Sequence, residues 1–205
     1  MTSEPTIVAE TRGAVSVIRL NNPKQKNALS GEVLDTLDRT IKELSCRPEM
    51  AVIIFTGSAA VFASGANINE LRQLTPSAAN EFALRGQQVF QSIVEAKPLT
   101  IAAINGHCVG GGLDFALACD LRFASAGALF RHPGATLGIV TGWGGTQRLP
   151  RLIGVAPAVE LFITAKSISS QEALRLGLVT RIADPVLEYA LEFACELAES
   201  REAKP

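Results

Sequence analysis

The chain is poor in the residues that carry metal, redox and nucleic-acid chemistry. Its 205 residues include two histidines and four cysteines, which show no C-x-x-C pair and no metal-ligand spacing. The formal net charge of -1 offers no electrostatic attraction to nucleic acid or to an anionic membrane. We therefore predict reduced thiols, no bound metal, no nucleic-acid partner and no membrane partner.

Long apolar runs are also absent. No segment approaches the roughly 20 apolar residues that span a bilayer, and the first residues have neither a basic cluster nor a following apolar stretch. Hydrophobic residues make up 47% of the chain and charged residues 19%, which suits a sizeable buried core. The composition predicts a single core domain over residues 1–205 of a cytoplasmic protein.

Local patterns alternate between strands and helices. Val15, Val17 and Leu20 predict a half-buried strand, whereas the apolar run 51–55 predicts a fully buried one. Ser30 is placed to cap a following helix. Further helices are expected after Pro76, after a capping box that starts at Ser169, and over 187–200, and a strand is expected over 178–182. This repeated order predicts an α/β fold.

Three consecutive glycines join an apolar strand to a helix within residues 101–121. They are Gly110, Gly111 and Gly112. The first N–H groups of a helix lack intrahelical partners and the helix dipole is positive there, so this junction can hold an anionic oxygen. Glycine also lets a ligand approach closely, although each one weakens a helix by about 1 kcal/mol relative to alanine. A tight connection without a ligand is the alternative interpretation of the glycines alone.

Four segments resemble the crotonase, or enoyl-CoA hydratase/isomerase, superfamily, and they occur in the family's order. The segments are NNPKQKNAL at 21–29, FASGANI at 62–68, the glycine-rich segment 101–121 and GGTQRLPR at 144–151. The resemblance implies a spiral of β-β-α units. It also implies a homo-oligomer, a trimer or hexamer. Family chains continue through helices beyond the position of Pro205, so we expect those C-terminal helices to be absent here and apolar surface to be exposed.

The resemblance implies that the substrate is an acyl-CoA thioester and that no cofactor is permanently bound. Residue by residue, it assigns the backbone N–H groups of Ala66 and Gly111 to an oxyanion hole that stabilises a thioester enolate. It also implies contacts to CoA, chiefly through backbone groups, together with an ion pair between a lysine and a phosphate of CoA. The residues implied in CoA binding are Lys24, Lys26, Ala28, Ala63, Asn67 and Ile68. The lysines can equally be a solvated surface pair.

Catalytic carboxylates are the point at which this sequence departs from the family. Family hydratases use two glutamates, and the first aligns with Asp114 while the second aligns with Gly134. Asp114 is therefore the predicted catalytic residue, and a helix-dipole aspartate is the alternative. Positions that are acidic in other branches align with Thr141 and Gly142, which are not acidic. The hydratase/isomerase type of reaction is expected, with a one-acid isomerase or decarboxylase and a CoA-binding protein with little catalysis as alternatives.

Four further residues receive structural interpretations. We expect the His132 side chain to be packed or solvent-facing, and a proton relay is the alternative. Asp120 is expected to cap or pair at a helix end, Glu70 to be an exposed helix charge, and Trp143 to be a pocket or core aromatic.

Overall fold

The structure, a computed structural model, describes residues 5–202. Strands and helices alternate along the chain, which confirms the α/β prediction. The strands are β1 (Ile7–Arg12), β2 (Val15–Leu20), β3 (Val52–Thr56), β4 (Val61–Ala63), β5 (Leu99–Ile104), β6 (His107–Val109), β7 (Leu121–Ala124), β8 (Leu129–Arg131), β9 (Ile168–Ser169) and β10 (Arg181–Ile182). The helices are α1 (Gly31–Ser45), α2 (Ile68–Leu71), α3 (Pro76–Val94), α4 (Gly111–Ala118), α5 (Gly134–Leu137), α6 (Gly145–Ile153), α7 (Val155–Thr164), α8 (Ser170–Arg175) and α9 (Val186–Glu202).

The strands form two sheets, and each turn of the spiral contributes one strand to each sheet. The larger sheet has the strand order β1-β2-β3-β5-β7-β10, and the smaller sheet has the order β4-β6-β8-β9. The pairs β3 and β4, β5 and β6, and β7 and β8 each place their first strand in the larger sheet and their second in the smaller one. Within each sheet these strands pair in parallel. The predicted spiral of β-β-α units is therefore confirmed.

Local capping signals were read correctly from the sequence. Ser30 Oγ accepts a hydrogen bond from the Val33 N–H at 3.2 Å and starts α1, and Ser169 Oγ accepts one from the Glu172 N–H at 3.3 Å and starts α8. Gly177 follows α8 in the left-handed region at φ 78° and ends the helical path. The strand expected over 178–182 is confined to β10, the last two of those residues.

Strand β2 is buried on both faces, so the half-buried prediction is wrong. Ile18 and Leu20 belong to the main core, which lies between the larger sheet and the helices on one side of it. Val15 belongs to a second core on the opposite face, together with Ala190 and Ala194 of α9. Helix α9 contacts strands β2, β3, β5 and β7. A helix distant in sequence thus covers the face that alternation alone assigns to solvent.

Apolar side chains are exposed around α7. Val155 and Ile163 are each 68% exposed, and Val140 in the loop between α5 and α6 is 75% exposed. Within residues 5–202, no helix is both long enough and apolar enough to cross a membrane.

Candidate active site

The start of α4 is held close to two neighbouring chain segments. The Gly110 N–H donates to the Arg131 carbonyl at 2.8 Å, and the backbone at Gly110 has a positive φ of 55°. A Cβ on Gly112 would lie 2.8 Å from the Ala63 Cβ and still closer to its carbonyl oxygen. The glycines are therefore needed for the turn and for the approach of β4 to the helix.

Two backbone N–H groups meet at this junction without a protein acceptor. A Cβ on Gly65 would lie 2.8 Å from the Gly111 nitrogen, and a Cβ on Gly111 would lie 3.4 Å from the Ala66 nitrogen. Among residues 5–202, no acceptor is paired with the N–H of Ala66 or of Gly111. Both residues line the same cavity. The structure thus brings together the two donors that the resemblance implied, on a helix N-terminus.

Trp143 packs directly over these donors. It is 4% exposed, and its ring lies against Gly111, where a Cβ would be 2.5 Å from Cε3. Phe90 packs edge-on against the indole, with ring centroids 5.6 Å apart, and Phe82 is 5.3 Å away on a tilted ring. The indole N–H donates to the Phe82 carbonyl at 3.3 Å. Trp143 is both a core and a pocket aromatic, as predicted.

The first cavity has a volume of about 250 Å³ and mainly apolar walls. It extends from the Ala66 and Gly111 amides to the segment that precedes α6. Its lining includes Phe82, Trp143, His132, Pro133, Leu137, Ile139 and Thr141. An apolar cavity that contains a few convergent polar groups is the usual form of a small-molecule site.

A second cavity of about 740 Å³ adjoins the first and has more polar walls. Ser64, Ala66 and Ile68 line both cavities, so the Ala66 amide lies at their junction. The other lining residues include Gln25, Lys26, Ala28, Asn67, Asn69 and His107. A ligand with a polar part and an apolar part can therefore occupy both cavities and pass the paired donors between them.

Four of the six residues predicted to bind CoA line this second cavity. They are Lys26, Ala28, Asn67 and Ile68. Lys24 is exposed outside the lining of the two cavities, and Ala63 is fully buried behind α4. Asn67 also keeps its predicted turn-forming role, because its side chain accepts the Asn69 N–H at 3.0 Å and caps α2. The roles of all six residues toward CoA stay predictions.

Asn27 holds the segment 21–29 in place, a role not predicted from the sequence. Its side-chain amide donates to the Val61 carbonyl at 2.7 Å, and its oxygen accepts the Asn22 N–H at 2.9 Å. Asn27 itself adopts the left-handed region at φ 52°, which asparagine tolerates better than most residues. Asn27 belongs to the segment 21–29 that resembles the family, but the Val61 carbonyl that it contacts lies 34 residues away in β4. No local pattern therefore indicated this contact.

Asp114 is completely buried in the first turn of α4, and it does not line the first cavity. Thr141 Oγ1 donates a hydrogen bond to its Oδ2. Its Oδ1 lies against Gly145, the first residue of α6, at a place that a Cβ would occupy. The positive ends of two helices and one hydroxyl therefore stabilise a carboxylate that would otherwise be costly to bury.

His132 stands between this carboxylate and the cavity. Its Nε2 is 3.2 Å from Asp114 Oδ1, a distance suited to ion pairing, although the contact is not aligned as a hydrogen bond. His132 is 3% exposed and lines the cavity, and its ring centroid lies 4.9 Å from that of Phe162. His132 is therefore packed rather than solvent-facing, and its contact with Asp114 was not predicted.

Gly134 lines the cavity at the start of α5, where the family alignment places the second glutamate. A Cβ at this position would lie 2.5 Å from the Ile139 carbonyl oxygen. No side chain fits there without a shift of the backbone. The second carboxylate is therefore both missing from the sequence and excluded by the local conformation.

The charge of Asp114 affects its neighbours. Burial raises the pKa of the Cys108 thiol well above its ordinary value, and the Asp114 carboxylate raises it further. Burial lowers the pKa of Arg148 on α6, and the same carboxylate opposes that shift. Cys108 is thus a protonated, inert thiol. Among residues 5–202, no three His, Cys, Asp or Glu side chains are grouped to hold a metal ion.

Two other carboxylates have structural partners. Asp120 accepts hydrogen bonds from the N–H and the hydroxyl of Thr100, both at 2.8 Å, which confirms its expected role after α4. Glu70 is half-buried and accepts the Gly31 N–H at 3.0 Å, so it stabilises the start of α1. The interpretation of Glu70 as an exposed helix charge is therefore wrong, because α2 packs beside α1 in the folded chain.

The fold and the site together define a class of protein: a β-β-α spiral with paired backbone donors at the junction of two cavities. Comparisons with known proteins agree. A family profile described as enoyl-CoA hydratase/isomerase matches residues 10–204. The chain is 39% identical over 197 residues to a short-chain-enoyl-CoA hydratase of Clostridium acetobutylicum, covering 95% of this chain and 76% of that protein. It is 39% identical over 180 residues to a crotonyl-CoA hydratase of Syntrophomonas wolfei, covering 87% and 69%.

Solved structures show the same relationship. The crystal structure of an enoyl-CoA hydratase from Bacillus anthracis superposes with a TM-score of 0.91 at 34% identity, over 95% of this chain and 77% of that one. The chain belongs to the enoyl-CoA hydratase/isomerase family, and it is an enzyme of the hydratase/isomerase type.

Proposed function

We propose that the enzyme binds a short enoyl-CoA thioester and adds water to it through an enolate whose oxygen is held by the N–H groups of Ala66 and Gly111. The observation that carries this proposal is the pair of free donors at the junction of the two cavities. When the thioester oxygen gains negative charge, each preorganised donor lowers the barrier by about 3 kcal/mol. Gly111 is the first residue of α4 and Ala66 forms a single β-bridge with Leu29, so both donors are already positioned before a ligand binds.

The two cavities suit the two ends of the proposed substrate. The first cavity, of about 250 Å³, is at the lower limit of small-molecule sites and is lined by apolar side chains, which favours a short acyl group. The second cavity carries Lys26, Asn67 and Asn69, which suit the polar CoA portion. Two relatives are named for short substrates, as a short-chain-enoyl-CoA hydratase and a crotonyl-CoA hydratase, which supports the same choice.

A proton must be exchanged between the substrate and the protein in this reaction. We propose that the proton-transfer group includes Asp114, the predicted catalytic residue, because it lies one turn into the same helix that presents Gly111. No bound cofactor is required by the proposed chemistry. A cytoplasmic location and assembly as a trimer or hexamer are proposals that rest on the family resemblance.

A one-acid reaction is the second candidate, and Gly134 is the observation that favours it. Without a second carboxylate, one acid-base group can move a proton between carbons in a double-bond isomerisation, or protonate an enolate after decarboxylation. The conformation at Gly134 leaves no room for the missing glutamate.

Incubation with crotonyl-CoA in deuterated water, followed by mass spectrometry, separates these functions. Addition of one water molecule supports hydration. Deuterium incorporation at the α or γ carbon without water addition supports the isomerase alternative instead. Binding of crotonyl-CoA with neither change contradicts both and identifies a CoA-binding protein.

A further inference from the structure

The acid-base group that serves the first cavity must touch it. Asp114 does not line the cavity, because Thr141 and His132 lie between its carboxylate and the space where a ligand can bind. Gly134 lines the cavity but has no functional group. Neither residue can therefore exchange a proton with a substrate by direct contact, and another side chain of the cavity must do so.

His132 is held close to the paired donors. Its two chain neighbours both contact Gly110, which precedes the donor Gly111. The Arg131 carbonyl accepts the Gly110 N–H at 2.8 Å, and Pro133 Cδ would lie 3.7 Å from a Cβ on Gly110. His132 therefore borders the cavity next to the place where a thioester oxygen would bind.

The two ring nitrogens of His132 have different surroundings. Nε2 is enclosed and, like Asp114 Oδ1, has no aligned hydrogen bond among residues 5–202, and the two buried atoms lie 3.2 Å apart. Nδ1 is not among the buried atoms that lack a partner, and His132 lines both the first cavity and a neighbouring cavity that Phe162 also lines. A carboxylate at Nε2 favours the tautomer that keeps the proton there and leaves Nδ1 free to accept one.

We propose that His132 is the catalytic acid-base of this enzyme and that Asp114 is its positioning residue. The proposal rests on the proposed function and replaces direct contact of Asp114 with the substrate. An imidazole can both accept and donate a proton, which makes one group sufficient for both directions of transfer. The pair thereby compensates for the absence of a glutamate at position 134.

The proton and electron changes balance without a further reactant. His132 Nδ1 takes a proton from water while the water oxygen bonds to the β carbon, and the carbon–carbon π pair moves to form the enolate held by Ala66 and Gly111. The imidazolium that results is balanced by the Asp114 carboxylate. It then returns the proton to the α carbon, and the enolate pair re-forms the thioester carbonyl. In the reverse reaction, and in the exchange of α protons with solvent, Nδ1 removes the proton from the α carbon.

Solvent exchange at the α carbon tests the proposal without depending on water addition. Butyryl-CoA is the probe. Its binding is measured by calorimetry, and its α-proton exchange in deuterated water is measured by NMR. For His132→Gln we expect exchange to fall about 100-fold or more, with the dissociation constant changed by less than about threefold. Asp114→Asn should also reduce exchange while leaving binding intact, whereas Asp35→Asn, a surface carboxylate on α1, should change neither.

Added imidazole distinguishes chemistry from packing. In His132→Ala, free imidazole should restore exchange about tenfold, because it can occupy the vacated space beside Asp114. In Asp35→Asn, which keeps His132, added imidazole should not change the exchange rate. Exchange at the wild-type rate in His132→Gln would overturn the proposal, and so would loss of exchange in a folded His132→Ala that imidazole does not restore. Wild-type protein that binds butyryl-CoA without exchanging its α protons would also overturn the proposal. Failure to bind butyryl-CoA would contradict the proposed function itself.

Discussion

Helices α4 and α6 both begin at glycines beside the first cavity, yet their N-termini serve different partners. At α4, the Gly111 N–H has no acceptor among residues 5–202 and faces the cavity. At α6, the first residue, Gly145, lies against the buried carboxylate of Asp114. The same positive helix end thus remains available to a ligand in one case and stabilises a protein charge in the other. The difference depends on which side chain folds back against each helix.

The largest effect is expected from Gly111→Ala, which would break the α4 half of this comparison. The new Cβ would lie 2.5 Å from Trp143 Cε3, and the indole is packed against Phe82 and Phe90. Either the helix start or the indole must move, and loss of one oxyanion donor lowers kcat about 100-fold or more. Steady-state kinetics with crotonyl-CoA measures this. Gly127→Ala is the matched control, since a Cβ there meets nothing within 4 Å.

Gly145→Ala tests the contact between the N-terminus of α6 and the Asp114 carboxylate. Its Cβ would occupy the place of Asp114 Oδ1, so the carboxylate must shift away from the helix. We expect a loss of roughly 1–3 kcal/mol in the free energy of unfolding from overpacking. We also expect a fall of up to about 100-fold in kcat from misplacement of the Asp114–His132 pair. Denaturant unfolding and kinetics test both, and a variant as active as Gly127→Ala would show that the carboxylate position is unimportant.

Thr141→Val tests how far the buried carboxylate depends on its hydroxyl partner. The substitution keeps the shape but leaves Asp114 Oδ2 without the donated hydrogen bond. An unsatisfied buried acceptor costs about 1–3 kcal/mol of stability. Thr141→Ser, which retains the hydroxyl, should recover most of that loss in a denaturant titration. Equal stability of the valine and serine variants would rule out a contribution from the hydrogen bond.

Lys26→Ala should weaken CoA binding more than Lys24→Ala. Lys26 lines the second cavity and Lys24 does not, although both are exposed. An exposed charge contact of this type is worth up to about 1 kcal/mol, so a twofold to fivefold rise in the dissociation constant is expected, and it should shrink in high salt. Calorimetry with CoA at two salt concentrations measures it. A larger effect of Lys24→Ala would reverse the assignment.

The cysteines on either side of α4 offer a test that does not involve activity. Cys108 and Cys119 are buried, and burial raises the pKa of both thiols, whereas Cys46 and Cys195 are exposed. A thiol reagent at neutral pH should modify Cys46 and Cys195 quickly and the other two only after unfolding. Because the folded pKa values are raised, the unfolded chain releases these protons first. Stability should therefore fall as the pH rises above the ordinary thiol pKa of 9.0.

Much of the fold was predicted from signals that act over a few residues. The caps at Ser30 and Ser169, the glycine run before α4 and the apolar strand β3 each occur where the sequence predicts them. The spiral order and the pairing of Ala66 with Gly111 were expected only because four segments resemble a family. The single core domain over 1–205 stays a prediction. The coverage of β2 by α9 was missed because the two elements are far apart in sequence.

The sequence by itself determined several of the helices and strands and the family to which the chain belongs, because capping, periodicity and motif order are local properties of the chain. Only the tertiary structure decided how the site is assembled. Asp114 meets His132 after 18 residues and Thr141 after 27, and these contacts exist because β7 and β8 return the chain to the start of α4. Whether a carboxylate faces a ligand or lies behind a histidine depends on such long-range packing, which no local pattern encodes.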